Sequence, residues 1–144
     1  MEEQRISIET AKLSKEKGFK EHCEYSYYEI TEDCYYDDIR NHEKYLAHSK
    51  GEVILTSRPA SEWNYNAFKA PTQPLLQRWL REVHKIYVTA LPSYTDTSDN
   101  KKHYFDLFYG KTLRLFGDKY SYFPTYEEAL EVGLFEALNL IKNE

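Results

Sequence analysis

Carboxylate and phenol side chains are concentrated in one stretch of the chain, residues 21–38. Seven Asp and Glu and five Tyr lie there, without any Lys or Arg. Carboxylates at strand spacing would present negative charge to a basic groove on another protein, and Tyr adds contact area at low entropy cost. We therefore predict a partner-binding surface made of Glu24, Tyr25, Tyr27, Tyr28, Glu29, Glu32, Asp33, Tyr35, Tyr36, Asp37 and Asp38. The alternative is an edge hairpin that its acids keep soluble.

A second stretch combines cations with aromatic side chains and gives the alternative hypothesis, nucleic-acid binding. Residues 102–109 are similar to an RNA-recognition strand with base-stacking aromatics on one face, but Asp106 stands at an aromatic position. Aromatics at period two are also typical of cross-strand packing. The residues of this alternative are Lys101, Lys102, Tyr104, Lys111 and Arg114.

Motifs for metal binding and catalysis are incomplete. Gly110-Lys111-Thr112 matches the end of a phosphate-binding loop, but Phe105 stands where the motif needs its first glycine, so a hairpin turn explains it better. Metal ligands could be drawn from Cys23, Cys34, His42 and His48, although ten residues separate the cysteines and structural zinc sites normally allow two to four. We expect no catalytic residue, metal or cofactor, with a small enzyme as a further alternative. The two cysteines are expected to be reduced thiols, which could face each other across one hairpin.

Helical periodicity and capping residues predict the three helices that would support these stretches. The first runs over 8–17, between Ser7 as N-cap and Gly18 as the residue after the C-cap. The second starts at Thr72 and runs to about His84 with one apolar stripe. The third starts at Thr125, which opens a capping box, and its small residues Ala129, Gly133 and Ala137 predict close approach to another element.

The remaining segments predict strands. Residues 23–30 and 34–39 are interpreted as a hairpin around a turn at 31–33, followed by a polar connection over 41–50. A short buried strand over 53–55 and a long ordered loop over 57–71 come next. A strand over 86–91 and a meander over 103–123 complete the sheet. The predicted fold class is α+β, with three helices packed on an antiparallel sheet in the order α-β-β-β-α-β-β-β-β-α.

Composition bounds the class of protein. The chain has 144 residues, 17.2 kDa and a net charge of −5, which suits a single domain over 1–144. No apolar run is long enough for a membrane span, and no secretory signal is recognised, so a cytoplasmic location is expected. The charge is uneven: twelve Lys and Arg against seven Asp and Glu give +5 over residues 44–124.

Three segments resemble a family of small uncharacterised proteins of phages and prophages. They are S-I-E-T-A-K-L with K-G-F, A-P-T-Q with W-L-R-E, and Y-E-E-A-L-E with G-L, at residues 7–19, 70–82 and 126–138. The resemblance covers the three helices and implies a mobile-element origin and a shared fold. It transfers no catalytic residue.

Together these observations favour a non-enzymatic, phage-encoded protein-binding module. Its concrete form would be an inhibitor of a host nucleic-acid-binding or defence protein, which occludes a basic site through the acidic Tyr-rich stretch. The sequence leaves the oligomeric state open.

Overall fold

The computed structural model describes residues 4–57, 65–93, 103–109, 113–116 and 122–142. Within these ranges the helices are α1 (Ile8–Glu16), α2 (Gln73–His84) and α3 (Tyr126–Asn139). The strands are β1 (Ser26–Ile30), β2 (Cys34–Asp38), β3 (Glu43–His48), β4 (Val53–Thr56), β5 (Tyr65–Lys69), β6 (Ile86–Pro92), β7 (His103–Tyr109) and β8 (Leu113–Phe116). The predicted α+β class is confirmed, but five strands, not three, separate α1 from α2.

Side-chain caps begin all three helices where the sequence predicts them. The hydroxyl oxygens of Ser7, Thr72 and Thr125 accept hydrogen bonds from backbone N–H groups in the first turns of α1, α2 and α3. Gly18 follows α1 with a φ of +96°, a left-handed geometry that glycine adopts without strain. Each helix therefore starts for a local reason that can be read from the sequence.

The chain divides into two compact units, the first made of residues 1–20 and 71–144. Its strands form an antiparallel sheet in the order β6-β7-β8. The small residues of α3 let that helix lie directly on the sheet, because a Cβ added to Gly133 would come within 2.8 Å of Val88 Cγ1. The predicted close approach is confirmed. The core around it is aliphatic and includes Leu76, Leu80, Ile86, Leu107, Leu130, Leu134 and Leu138.

The second unit, Glu21–Ala70, is an all-β insertion in the sequence between α1 and α2. Strand β1 lies between β4 and β5 in one antiparallel sheet, and β2 pairs only with β3 in the other. The predicted hairpin of 23–30 with 34–39 is therefore wrong. Both segments carry Tyr and acids on both faces, so no apolar face specified their pairing.

The β1–β4 and β2–β3 ladders follow one another along the same two arms of the chain, residues 26–38 and 43–56, which we call the β-ribbon, and β5 pairs with β1 at its base. Glu29 lies opposite Val53, and five residues further along each strand Cys34 lies opposite His48. A register shift follows Cys34, and the chain turns back over residues 39–42. We call residues 34–48 the ribbon tip.

Three further predictions in this unit need correction. The expected polar connection over 41–50 contains β3, and the expected loop over 57–71 contains β5, with 58–64 outside the described residues. Strand β4 is confirmed, but Val53 and Leu55 are exposed rather than buried. Because these segments are rich in polar or aromatic residues, their sequence did not predict an extended backbone.

At the other end of the chain, the expected last strand of the meander is only partly visible. Residues 117–121 lie outside the described part, and Phe123 forms an isolated bridge with His103. None of the described helices has the length and apolar character needed to cross a bilayer. The single domain expected from the chain length stays a prediction.

Candidate partner-binding ribbon

The structure divides the predicted acidic Tyr-rich surface between the base and the tip of the β-ribbon. Glu24 and Tyr25 precede β1, and Tyr27, Tyr28 and Glu29 lie half-buried in β1, the central strand of its sheet. The ring of Tyr28 packs edge-on against that of Tyr65, with centroids 5.0 Å apart. Packing within the sheet thus occupies much of this part of the predicted surface.

The remaining predicted residues lie beyond β1. Glu32 and Asp33 join the two ladders, and β2 carries Tyr35, Tyr36, Asp37 and Asp38. Of these six side chains, Asp38 is half-buried and the other five are exposed. The exposed part of the predicted surface is therefore the ribbon tip and the joint before it.

Large apolar side chains are exposed on both faces of the ribbon tip. Tyr36 lies opposite Tyr45 with the two rings stacked, 5.5 Å between centroids and 27° between planes. Tyr35 lies opposite Leu46, and these two side chains are 60% and 51% exposed. Neighbouring residues in a strand point to opposite faces, so the two pairs occupy opposite sides of the ribbon. Ile39, in the turn between the strands, is 89% exposed.

Three of these residues, Ile39, Tyr45 and Leu46, are missing from the predicted surface. Tyr45-Leu46-Ala47 is an apolar run inside the segment interpreted as a polar connection, and this run could have indicated a strand. The acids indicate only one arm of the ribbon, whereas two of the exposed large side chains, Tyr45 and Leu46, lie on the other arm.

The turn of the ribbon tip is held by its own side chains. The backbone N–H of His42 donates to the carbonyl oxygen of Asp38 over 3.0 Å, and His42 has a φ of 62°. The carboxylate of Asp38 accepts the N–H of Arg40, and the amide oxygen of Asn41 accepts that of Glu43. These bonds fix the backbone that carries Ile39.

The hydroxyl of Tyr45 is also fixed by this turn. It donates to Glu43 Oε2 over 2.6 Å and accepts from Asn41 Nδ2 over 3.0 Å. The ring of Tyr45, which stacks on Tyr36, is thereby anchored at its polar end. A surface ordered in advance loses less conformational entropy on binding.

Carboxylates also stabilise the joint between the two ladders. Asp33 Oδ1 accepts the N–H of Lys50 over 2.7 Å. The N–H of Ser49 donates to Glu52, and His48 Nδ1 lies 3.3 Å from Glu52 Oε1. The bond from Ser49, followed by that from His48, lowers the pKa of Glu52 below its usual value. The carboxylates of Asp33 and Glu52 therefore stabilise the joint between the two ladders.

The unit that contains the ribbon accounts for the net charge of the protein. Residues 21–70 hold ten Asp and Glu and five Lys and Arg, which gives −5, while the rest of the chain holds fourteen of each sign. The unit with the ribbon therefore carries the net negative charge, whereas the charges of the rest of the chain sum to zero.

The four residues considered as zinc ligands, Cys23, Cys34, His42 and His48, do not lie together on one hairpin. Cys23 precedes β1 and Cys34 begins β2, so the two thiols do not face each other across a hairpin, and neither forms a disulfide. Cys34 Sγ donates to the carbonyl oxygen of Glu32 over 3.4 Å. In the part of the chain that the structure describes, no three His, Cys, Asp or Glu side chains are grouped as for a metal ion.

The residues of the nucleic-acid alternative are only partly described. Lys101, Lys102, Lys111 and the residues of the phosphate-loop match at 110–112 lie outside the described residues, and Arg114 lies in β8 opposite Phe108. Tyr104 is half-buried and its ring lies 6.3 Å from that of Tyr122. Phe105 and Leu107 belong to the buried core. The expected stacking strand therefore uses two of its side chains for packing.

Comparison with known proteins assigns no relative to this fold. No protein-family model, curated protein or solved structure matches the chain. The resemblance to phage and prophage proteins stays a prediction, and the ribbon is interpreted from its own geometry.

Proposed function

We propose that the protein is a non-enzymatic binding module that docks the ribbon tip into a basic-rimmed apolar cleft of another protein. The observation that carries this proposal is the exposure of Tyr35, Tyr36, Ile39 and Leu46 on a hairpin whose turn is already ordered. Exposed apolar patches on a soluble protein mark interaction sites, and Tyr is enriched where binding energy concentrates.

The shape of the ribbon tip favours insertion over flat contact. Ile39 stands at the turn, and apolar pairs follow it on both faces, so a cleft that received the hairpin would cover Ile39, Tyr35 and Tyr36 together. A purely protective hairpin would carry charges at these exposed positions, as sheet edges commonly do. Charge is present instead around the apolar residues, in Asp37, Asp38 and Glu43.

The charge of the unit defines the chemistry of the partner. A net −5 over residues 21–70 raises the rate of encounter with a basic protein and opposes direct binding of nucleic acid. Basic clefts are typical of nucleic-acid-binding proteins. In its concrete form, the proposal is that a mobile element encodes this protein to occlude such a cleft on a host protein.

Affinity capture with matched variants tests the proposal. Partners captured from a bacterial lysate by the unmodified protein are identified by mass spectrometry, and their affinity is then measured with purified components. Ile39→Ser and Tyr35→Ser are each expected to weaken binding at least tenfold, which corresponds to about 1.4 kcal/mol. Neutralising Asp37 and Asp38 with Asn should slow association and reduce its salt dependence.

Val83→Ser is the matched control, because Val83 is also an exposed aliphatic residue but lies on α2 in the other unit. It should bind like the unmodified protein. Circular dichroism and proton NMR of each variant check that the fold is retained. Equal affinity of the Ile39→Ser, Tyr35→Ser and Val83→Ser variants for the same partner would exclude the ribbon tip as the docking surface.

A further inference from the structure

An open cavity of about 520 Å³ has a described lining that belongs entirely to the first unit. Its described lining comes from one helix and two strands: Gln77, Arg81, Tyr87, Val88, Thr89 and Phe108. This volume falls within the range of about 300–1,000 Å³ that small-molecule sites occupy. The cavity is therefore large enough for a compact organic ligand.

The helical wall of the cavity is fixed against the sheet. Gln77 and Arg81 are four residues apart on α2 and so lie on one face of it. The side-chain amide of Gln77 donates to the carbonyl oxygen of Val88 over 2.5 Å. This bond ties α2 to strand β6, so the position of Arg81 relative to β6 is set by the fold.

Two aromatic side chains also line the cavity. Tyr87 in β6 lies directly opposite Phe108 in β7, and the two side chains are 47% and 38% exposed. Val88 and Phe105 contact Gly133 of α3, so strand alternation places Tyr87 and Phe108 on the other face of the sheet. Partly exposed aromatic rings offer a flat apolar surface to a ligand.

The charge of the described lining residues indicates whether the ligand is an anion or a cation. Among the described lining residues Arg81 is the one charged side chain, and it is exposed. A guanidinium group presents paired N–H donors that match a carboxylate or a phosphate. The half-buried hydroxyl of Thr89 adds a neutral donor and acceptor in the same cavity.

We propose that this cavity binds a small planar organic anion, an aromatic or heteroaromatic carboxylate or phosphate. The ring of the ligand packs against Tyr87 and Phe108, and its acid group pairs with Arg81. Planar rings gain from aromatic walls, and the described part of the lining, which has one cation and no carboxylate, favours an anion over a neutral or cationic ligand. The described lining contains no residue of the ribbon, and the proposal does not depend on the function proposed for the ribbon.

NMR titration of the full chain with four probes tests this proposal. Benzoate and adenosine monophosphate carry both the ring and the acid group, adenosine carries a ring alone, and inorganic phosphate carries charge alone. Saturable shifts of the Tyr87 and Phe108 backbone amides and of the Arg81 side chain are expected with benzoate, with adenosine monophosphate, or with both. Adenosine and phosphate should bind at least tenfold more weakly than the anion that binds. The pair of ring-bearing anions shows whether the acid group is a carboxylate or a phosphate.

Paired arginine variants separate the site from general charge. Arg81→Gln is expected to weaken binding of the anion at least tenfold, and Phe108→Ala to weaken it about as much. Arg78→Gln is the matched control, since Arg78 is exposed on the same helix outside the cavity lining. It should leave the affinity unchanged.

Three results would overturn the proposal. They are the absence of saturable shifts with both ring-bearing anions at millimolar concentration, equal binding of inorganic phosphate, and equal losses in the Arg78→Gln and Arg81→Gln variants. Ile39→Ser, which tests the ribbon tip, should not alter binding of the anion. Failure of one proposal is thus distinguishable from failure of the other.

Discussion

At the residue scale, His84 shows how burial can oppose a helix terminus. It is the last residue of α2, where the helix dipole favours a cation. Its ring packs edge-on against Trp79 with centroids 4.7 Å apart, and burial lowers the pKa of His84 below its ordinary value. Burial, which disfavours the charged imidazole, is therefore the cause of the lowered pKa at this position.

The lowered pKa of His84 predicts a pH dependence of stability. The unfolded chain binds this proton at higher pH than the folded chain does, so the contribution of neutral His84 is complete above the unfolded pKa of about 6.5 and is lost as pH falls through the folded value. His84→Asn should therefore flatten the decline in unfolding free energy between pH 7.5 and pH 5, measured by urea titration. An NMR midpoint for His84 at or above its midpoint in urea-unfolded protein would contradict this explanation.

At the element scale, the contact of α3 with the sheet depends on one missing side chain. Replacing glycine by alanine within an exposed helix stabilises it by about 1 kcal/mol. At Gly133 the new Cβ would meet Val88 Cγ1 at 2.8 Å and Phe105 Cβ at 3.0 Å, and the Phe105 contact involves the start of its side chain, which cannot turn away. Steric conflict should therefore exceed the gain in helix propensity.

Gly133→Ala is accordingly expected to destabilise the protein by about 1–3 kcal/mol, the usual cost of overpacking. Thermal or urea unfolding followed by circular dichroism measures the change. An Ala substitution of Glu136, an exposed residue on α3, is the control for helix propensity and should be nearly neutral. A Gly133→Ala variant more stable than the parent would show that α3 can move away from the sheet.

Elements also differ in how far the sequence predicts them. The helices were predictable because Ser7, Thr72 and Thr125 cap them through bonds to residues three positions ahead. The role of Glu131 was not predictable. Its carboxylate accepts hydrogen bonds from the N–H and the hydroxyl of Ser7 and from the hydroxyl of Thr10. It joins α3 to the start of α1 across more than 120 residues, and no local sequence pattern predicts such a partner.

At the scale of the whole molecule, the two units differ in their cores. Of the buried apolar residues in the described ranges, only Ile30, Cys34 and Ala70 belong to residues 21–70, whereas seventeen belong to the first unit. Hydrophobic burial is the main favourable term in folding. Because the second unit has few buried apolar residues, we expect it to open locally more easily than the first unit.

Amide hydrogen exchange should reveal this difference. The amides of β1, β4 and β5 are expected to exchange at least tenfold faster, after correction for sequence, than those of α2, α3 and β6. Mass spectrometry of peptic fragments at neutral pH makes the comparison on the full chain. Equal protection in both units would mean that they open together as one cooperative structure.

The candidate ribbon was predictable only in part, and its strands show why. The acids and tyrosines of residues 21–38 located one arm of the ribbon, since composition alone reveals them. The other arm, with Tyr45 and Leu46, becomes its partner through a pairing that spans up to thirty residues, from Ser26 to Thr56. A chain whose strands have polar and aromatic residues on both faces does not specify that register locally.

The sequence by itself determined the α+β class, the three capped helices, the close approach at Gly133 and the negative charge of residues 21–38. These depend on short-range hydrogen bonds, on the size of single side chains and on composition. Only the tertiary structure decided that β1 pairs with β4 and β5, that exposed apolar residues gather at the ribbon tip, and that Arg81 lines a cavity together with two aromatic residues. Each of these joins residues from distant parts of the chain, and long-range packing, rather than local preference, selects such contacts.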